Sequence, residues 1–98
     1  MTSALSTADE AAALPEQVTL ADAGKTLMAL KHALTQQAGP VVMLDAGPLR
    51  VFDSSAVAVL LELRRQLLAE GKTLQVHNWP RRLEALMGLY GVGELLAP

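Results

Sequence analysis

Val51-Phe52-Asp53-Ser54-Ser55-Ala56-Val57-Ala58-Val59-Leu60-Leu61-Glu62-Leu63 reads as the end of a strand, a turn carrying two hydroxyls, and the start of a strongly apolar helix. The first N–H groups of a helix lack intrahelical partners, so the Ser54–Ser55 pair is placed to cap it. The same end favours an added phosphate, through the helix dipole and the unbonded N–H groups. The helix is predicted from about Ser54 to Glu70, with Gly71 just beyond its end.

Working outward, Val41-Val42-Met43-Leu44-Asp45 is an apolar run ending in an acid, as in a central strand buried on both faces. Ala46-Gly47-Pro48 turns the chain, and residues 49–52 lead into the Asp-Ser-Ser segment. Downstream, Thr73-Leu74-Gln75-Val76-His77 alternates as a strand does. Asn78-Trp79-Pro80 then opens a third helix with Pro in its first turn, carrying Leu83, Leu86, Met87 and Tyr90 and ended by Gly91. Residues 92–96 read as a last short strand or turn. Upstream, residues 17–20 form a short strand. Asp22 caps a helix reaching about Gln37, with Leu27, Leu30 and Leu34, and Ala23 and Ala33, at helical spacing. Residues 1–13 are small and aperiodic, which predicts a partly disordered segment before a domain over residues 14–98. Strands alternating with helices imply an α/β fold with a mostly parallel sheet.

With 98 residues, the chain supports one domain and a single core. Half of it is hydrophobic but only 3% is aromatic, so the core is aliphatic. A net charge of −2, with only the local basic pairs Arg64-Arg65 and Arg81-Arg82, argues against an electrostatic nucleic-acid binder. The absence of Cys excludes disulfides, thiolate metal sites and a Cys nucleophile. Asp9 and Glu10 interrupt any signal-peptide pattern, and the longest apolar run, residues 56–61, is far too short to cross a bilayer, so no direct membrane insertion is expected. A soluble cytoplasmic domain is the expectation.

The central helix carries more apolar surface than a sheet needs. Ala56, Val59, Leu60, Leu63 and Leu67 form one stripe, and Val57, Leu61 and Leu68 form a second beside it. Together they cover roughly 200° of the helix, against about 100° or more for a surface helix. Either neighbouring helices bury the second stripe, or part of it meets another protein.

Other motifs lead nowhere. Ala23-Gly24-Lys25-Thr26 resembles the end of a phosphate-binding loop, but Thr19 stands where the leading Gly belongs. His32 and His77 are isolated, so no metal site or cofactor is expected. Ser55, His77 and Asp53 could be written as a triad, but no Gly-x-Ser-x-Gly elbow supports one. Asp45 and Asp53 near strand ends fix turns, or Asp53 orients the Ser pair or a kinase's metal–nucleotide complex. Trp79 covers the start of the third helix or anchors an interface. No convergent nucleophile, base and oxyanion set points to an enzyme.

The blocks 41–45, 52–60 and Gly71-Lys72-Thr73-Leu74 resemble the STAS domain family, over roughly residues 14–97. The resemblance implies a small mixed, mostly parallel sheet flanked by helices. Within that family the chain is most similar to the MlaB-like members, a likeness carried partly by its ending, Leu86-Met87-Gly88-Leu89-Tyr90-Gly91-Val92-Gly93-Glu94-Leu95-Leu96-Ala97-Pro98. MlaB-like members are non-catalytic subunits that dock on the ATPase of a phospholipid-trafficking ABC transporter, in a complex with an inner-membrane permease. The resemblance implies that Ser54 matches their functionally important hydroxyl, with Ser55, Val57, Ala58, Leu61 and Arg65 on or near the partner face. The alternative implied is an anti-sigma-factor antagonist whose partner kinase phosphorylates Ser55, or Ser54 beside it. Ala56 stands where Gly commonly follows the Ser pair, and its Cβ opposes close approach by a kinase.

Overall fold

A computed structural model describes residues 12–92. Its elements are β1 (Ala12–Ala13), β2 (Gln17–Val18), α1 (Ala23–Thr35), β3 (Val41–Asp45), β4 (Val51–Phe52), α2 (Ser55–Ala69), β5 (Thr73–His77) and α3 (Arg81–Leu89). The architecture is the α/β one that the alternation predicts. The expectation of disorder up to residue 11, and that of a last element after Val92, lie outside the described residues. Ala12 and Ala13 form a strand, so ordered structure begins before residue 14.

β3 is the centre of a parallel sheet ordered β1–β3–β5. Its register runs from Val41↔Thr73 to Asp45↔His77 on one side, with Ala12↔Leu44 and Ala13↔Asp45 on the other. β2 and β4 form a separate parallel pair, Gln17↔Val51 and Val18↔Phe52. Every pairing among the described residues is parallel, so the antiparallel part of the expected mixed sheet is not seen there.

The core is aliphatic. Val42 and Leu44 of β3, Leu74 and Val76 of β5, Leu30 and Leu34 of α1, and Leu60, Leu63 and Leu67 of α2 are buried together. Burying such side chains contributes about 1.5–3 kcal/mol each. α1 packs on β3, α2 on β5, and the two helices on each other, which places both on one face of the sheet. That corrects the reading of β3 as buried on both faces: Val42 and Leu44 are buried, but Val41 and Met43 are exposed.

Two helix ends follow the glycine rule. Gly71 (φ +80°) and Gly91 (φ +70°) take the left-handed conformation that costs other residues energy. After α2 the Lys72 N–H reaches the Leu67 carbonyl at 2.8 Å and the Gly71 N–H the Leu68 carbonyl at 3.0 Å. That closes the helix with its last carbonyls satisfied. α1 ends differently. The buried Gln37 side chain accepts the Met43 N–H at 2.8 Å and donates to the Met43 carbonyl at 2.9 Å, pairing with β3 as a strand would. No helix among the described residues is long and apolar enough to cross a membrane.

Candidate functional site: the head of helix α2

β4 delivers Asp53 to the head of α2, where its carboxylate joins two loops. Oδ1 accepts the Ser55 N–H at 2.8 Å, and Oδ2 accepts the Leu20 N–H at 3.2 Å. The Asp53 carbonyl also accepts the Ala56 N–H at 3.0 Å. The Ser55 N–H, followed by the Leu20 N–H, holds the Asp53 carboxyl below its ordinary pKa, because both bonds favour the anion.

Asp53, not the Ser pair, therefore caps the helix. Ser54 has helical backbone angles (φ −63°, ψ −15°) and makes no side-chain cap bond. A cap residue needs extended backbone angles to turn its oxygen back onto the first N–H groups. Asp22 departs from its expected role in a similar way. Its Oδ1 accepts the Thr19 N–H at 2.6 Å and its Oδ2 a Gln17 Nε2 donor at 3.0 Å, so it braces the preceding turn instead of capping α1.

Along α2, Ser54, Ala58, Leu61 and Arg65 follow at intervals of four, three and four, which places them on one face. Ser54, Ala58 and Arg65 are exposed; Ser55 and Leu61 are half-buried. Val57 does not join them. It is 3% exposed and packs in the core, so the surface role expected for it is corrected. The second apolar stripe is split: Val57 is buried, Leu61 half-buried and Leu68 exposed. Arg65 is already paired, with Nε donating to Glu62 Oε1 at 3.0 Å and Nη2 contacting Oε2. The pair, with Gln66 behind it, holds the Glu62 carboxyl at about 2.

Beside Ser54 lies a cleft of about 490 Å³ lined by Phe52, Asp53, Ser54, Arg82, Ala85, Leu86 and Leu89. The Arg82 guanidinium lies 4.8 Å from the centre of the Phe52 ring. Leu89 is 79% exposed, and so is Leu20, at 80%, on the loop held by Asp53. Neither residue stood out in the sequence. Leu89 could have done so, because it lies about 200° around α3 from the buried Met87. Tyr90, expected among the apolar positions of that helix, is exposed.

The other motifs are resolved by placement. Gly24, Lys25 and Thr26 lie inside α1, so they form no phosphate loop. At the end of β3, Asp45 Oδ1 accepts the Gly47 N–H at 2.8 Å and an Asn78 Nδ2 donor at 3.0 Å, fixing the turn. Those bonds lower its pKa, with Asn78 the largest cause. The His77 Nε2 lies 3.5 Å from the Met43 sulfur, and among the described residues it makes no hydrogen bond to Ser55. Among the described residues no three His, Cys, Asp or Glu side chains converge as metal ligands. Trp79 is half-buried against the core.

No curated protein matches the chain significantly. A family model described as "Mlab, STAS domain" matches residues 3–97. That match spans nearly the whole chain and agrees with the α/β architecture, so the chain belongs to the MlaB-type STAS domains, a family of protein–protein interaction domains.

Proposed function

We propose that this domain binds the ATPase subunit of a phospholipid-trafficking ABC transporter that maintains outer-membrane lipid asymmetry, and regulates it. The observation that carries the reading is the line formed by the exposed Ser54, Ala58 and Arg65 with the half-buried Leu61, starting at a turn that Asp53 holds by two hydrogen bonds. A fixed helix face loses little freedom on docking, so more of its contact energy appears as affinity. The domain supplies no chemistry. It biases the ATPase by binding one of its conformations more tightly than another. The chain would be cytoplasmic, held at the inner membrane through the permease of the same complex.

The antagonist reading is less favoured by the geometry. The Ser55 N–H is bonded to the Asp53 carboxylate, so a phosphate added at Ser55 would meet a like charge. The test is co-purification from native cells in mild detergent. An ATPase with an integral-membrane permease supports the transporter reading, and its loss in Ser54→Arg supports the site. A soluble kinase without membrane proteins would sink it.

A further inference from the structure

β5 lies at one edge of the described sheet, with β3 on its inner side. The Thr73 N–H donates to the Pro40 carbonyl at 2.7 Å, and the His77 carbonyl accepts the Ala46 N–H at 2.8 Å. Backbone groups alternate between the two sides of a strand, so those of Leu74 and Val76 point away from β3. A free outer edge would be wetted, yet Val76 has no exposed surface and Leu74 is buried. Among the described residues no hydrogen bond reaches the outward N–H or carbonyl of either one. Buried backbone groups are almost always paired, because leaving them orphaned is costly. The helices point to the same edge. α1 packs on β3 and α2 on β5, each one strand further across the sheet. The main contact of α3 among the described elements is with α2, which carries the series past β5.

We propose that residues 93–97 add a fourth parallel strand along the outer edge of β5, pairing with the outward backbone groups of Leu74 and Val76 and placing one of Leu95 and Leu96 beneath α3. The nine residues of α3 return the chain by about 14 Å, close to the length of a five-residue strand such as β5. Val92 then packs against the core, its N–H bonded to the Met87 carbonyl at 3.0 Å. A strand that leaves Val92 and runs beside β5 makes a right-handed βαβ unit, the hand nearly all such units have. Gly93-Glu94-Leu95-Leu96-Ala97 is long enough, since at about 3.3 Å per residue it outreaches the step from Leu74 to Val76. Residues 1–11 are the poorer occupant, because they lead into β1 at the opposite edge. With its edge taken by its own chain, β5 is closed to strand addition by another protein. The assignment is independent of the ATPase reading.

The test is NMR of the isotope-labelled full chain, reading scalar couplings across hydrogen bonds. The Leu74 and Val76 amides should couple to carbonyls of residues 93–97 and exchange slowly with heavy water. Successive N–H groups of a strand point to opposite edges, so one of Leu95→Pro and Leu96→Pro should speed that exchange about tenfold or more, and the other much less. Couplings to carbonyls of residues 1–11 or of a second copy would overturn the assignment. So would amides that exchange as fast as unprotected ones, or equal effects of the two Pro variants. The couplings are read on the unchanged chain, so they decide the matter even where a Pro variant fails to fold.

Discussion

Leu20 and Asp53 lie 33 residues apart, and the backbone N–H of the first donates to Oδ2 of the second at 3.2 Å. The other oxygen of that carboxylate holds the first turn of α2 through Ser55. One side chain thus sets the loop before α1 and the head of α2 relative to each other. Asp53→Ala removes both acceptors, and is expected to lower the urea midpoint and speed exchange of the Leu20 and Ser55 amides. Asp53→Asn should fall between it and the unchanged chain. Its oxygen can still serve Ser55, but its NH2 group then faces the Leu20 N–H, donor against donor. Asp53→Asn as stable as the unchanged chain would show that the Leu20 bond contributes nothing; Asp53→Asn no more stable than Asp53→Ala would show the same of the Ser55 bond.

Acid should act through the same kind of contact. Asp22, Asp45 and Asp53 all have lowered pKa values because backbone or side-chain donors stabilise their anions. Glu62, beside Arg65, is held at about 2. A carboxyl with a lowered folded-state pKa contributes stability that is fully present above its unfolded value. That contribution is lost as pH falls through the folded value. The urea midpoint should therefore be flat with respect to these groups from neutral pH down to about 5, then fall below about 4, near the ordinary Asp value. Measuring it from pH 7 to pH 2 checks this, and Asp45→Asn should make the acid fall shallower.

The sequence reveals most of the elements for reasons that the structure makes plain. β3 and β5 begin and end where the apolar run and the alternation place them. α2 stops at Gly71 because its left-handed backbone ends a helix cheaply. β1 escapes notice because Ala12-Ala13 has no β-branched or aromatic residue to mark a strand; pairing with Leu44 and Asp45 creates it. The exposed side of β3 is hidden too, since Val41 and Met43 look like core in a list of residue types. At the site, the Asp-Ser-Ser motif locates the head of α2, but which of its oxygens caps depends on backbone angles. Val57 shows the limit of stripe arguments. A helical wheel gives the angle of a residue but not how far the neighbouring elements wrap around the helix.

Gln37 offers a test of a buried polar contact. Its amide satisfies both backbone groups of Met43, and it is only 7% exposed. Gln37→Leu has about the right volume but leaves a backbone donor and acceptor unpaired. The expected loss is about 1–3 kcal/mol, the cost of orphaning a buried polar group. Chemical denaturation measures it, and hydrogen exchange at Met43 should rise in parallel. A variant as stable as the unchanged chain would mean that water replaces the amide at little cost.

Val57 and Ala58 are neighbours in sequence with opposite surroundings, which separates folding from docking. Val57 is in the core, so Val57→Ala removes packed methyl groups and is expected to cost about 1–3 kcal/mol. The folded fraction should still bind the ATPase with nearly unchanged affinity, because no exposed atom of consequence has been altered. Ala58 is exposed on the face that runs from Ser54 to Arg65. Arg is almost as good a helix former as Ala, so Ala58→Arg should leave the urea midpoint within about 0.5 kcal/mol. Its bulk would nevertheless stand between α2 and a docked partner, and binding should fall by about tenfold or more. Measuring stability and affinity on both variants gives a crossed result if α2 docks by this face. Normal binding by Ala58→Arg would move the interface elsewhere. A loss of affinity in Val57→Ala, measured on folded protein, would show that the partner reads the packing beneath the helix as well as its surface.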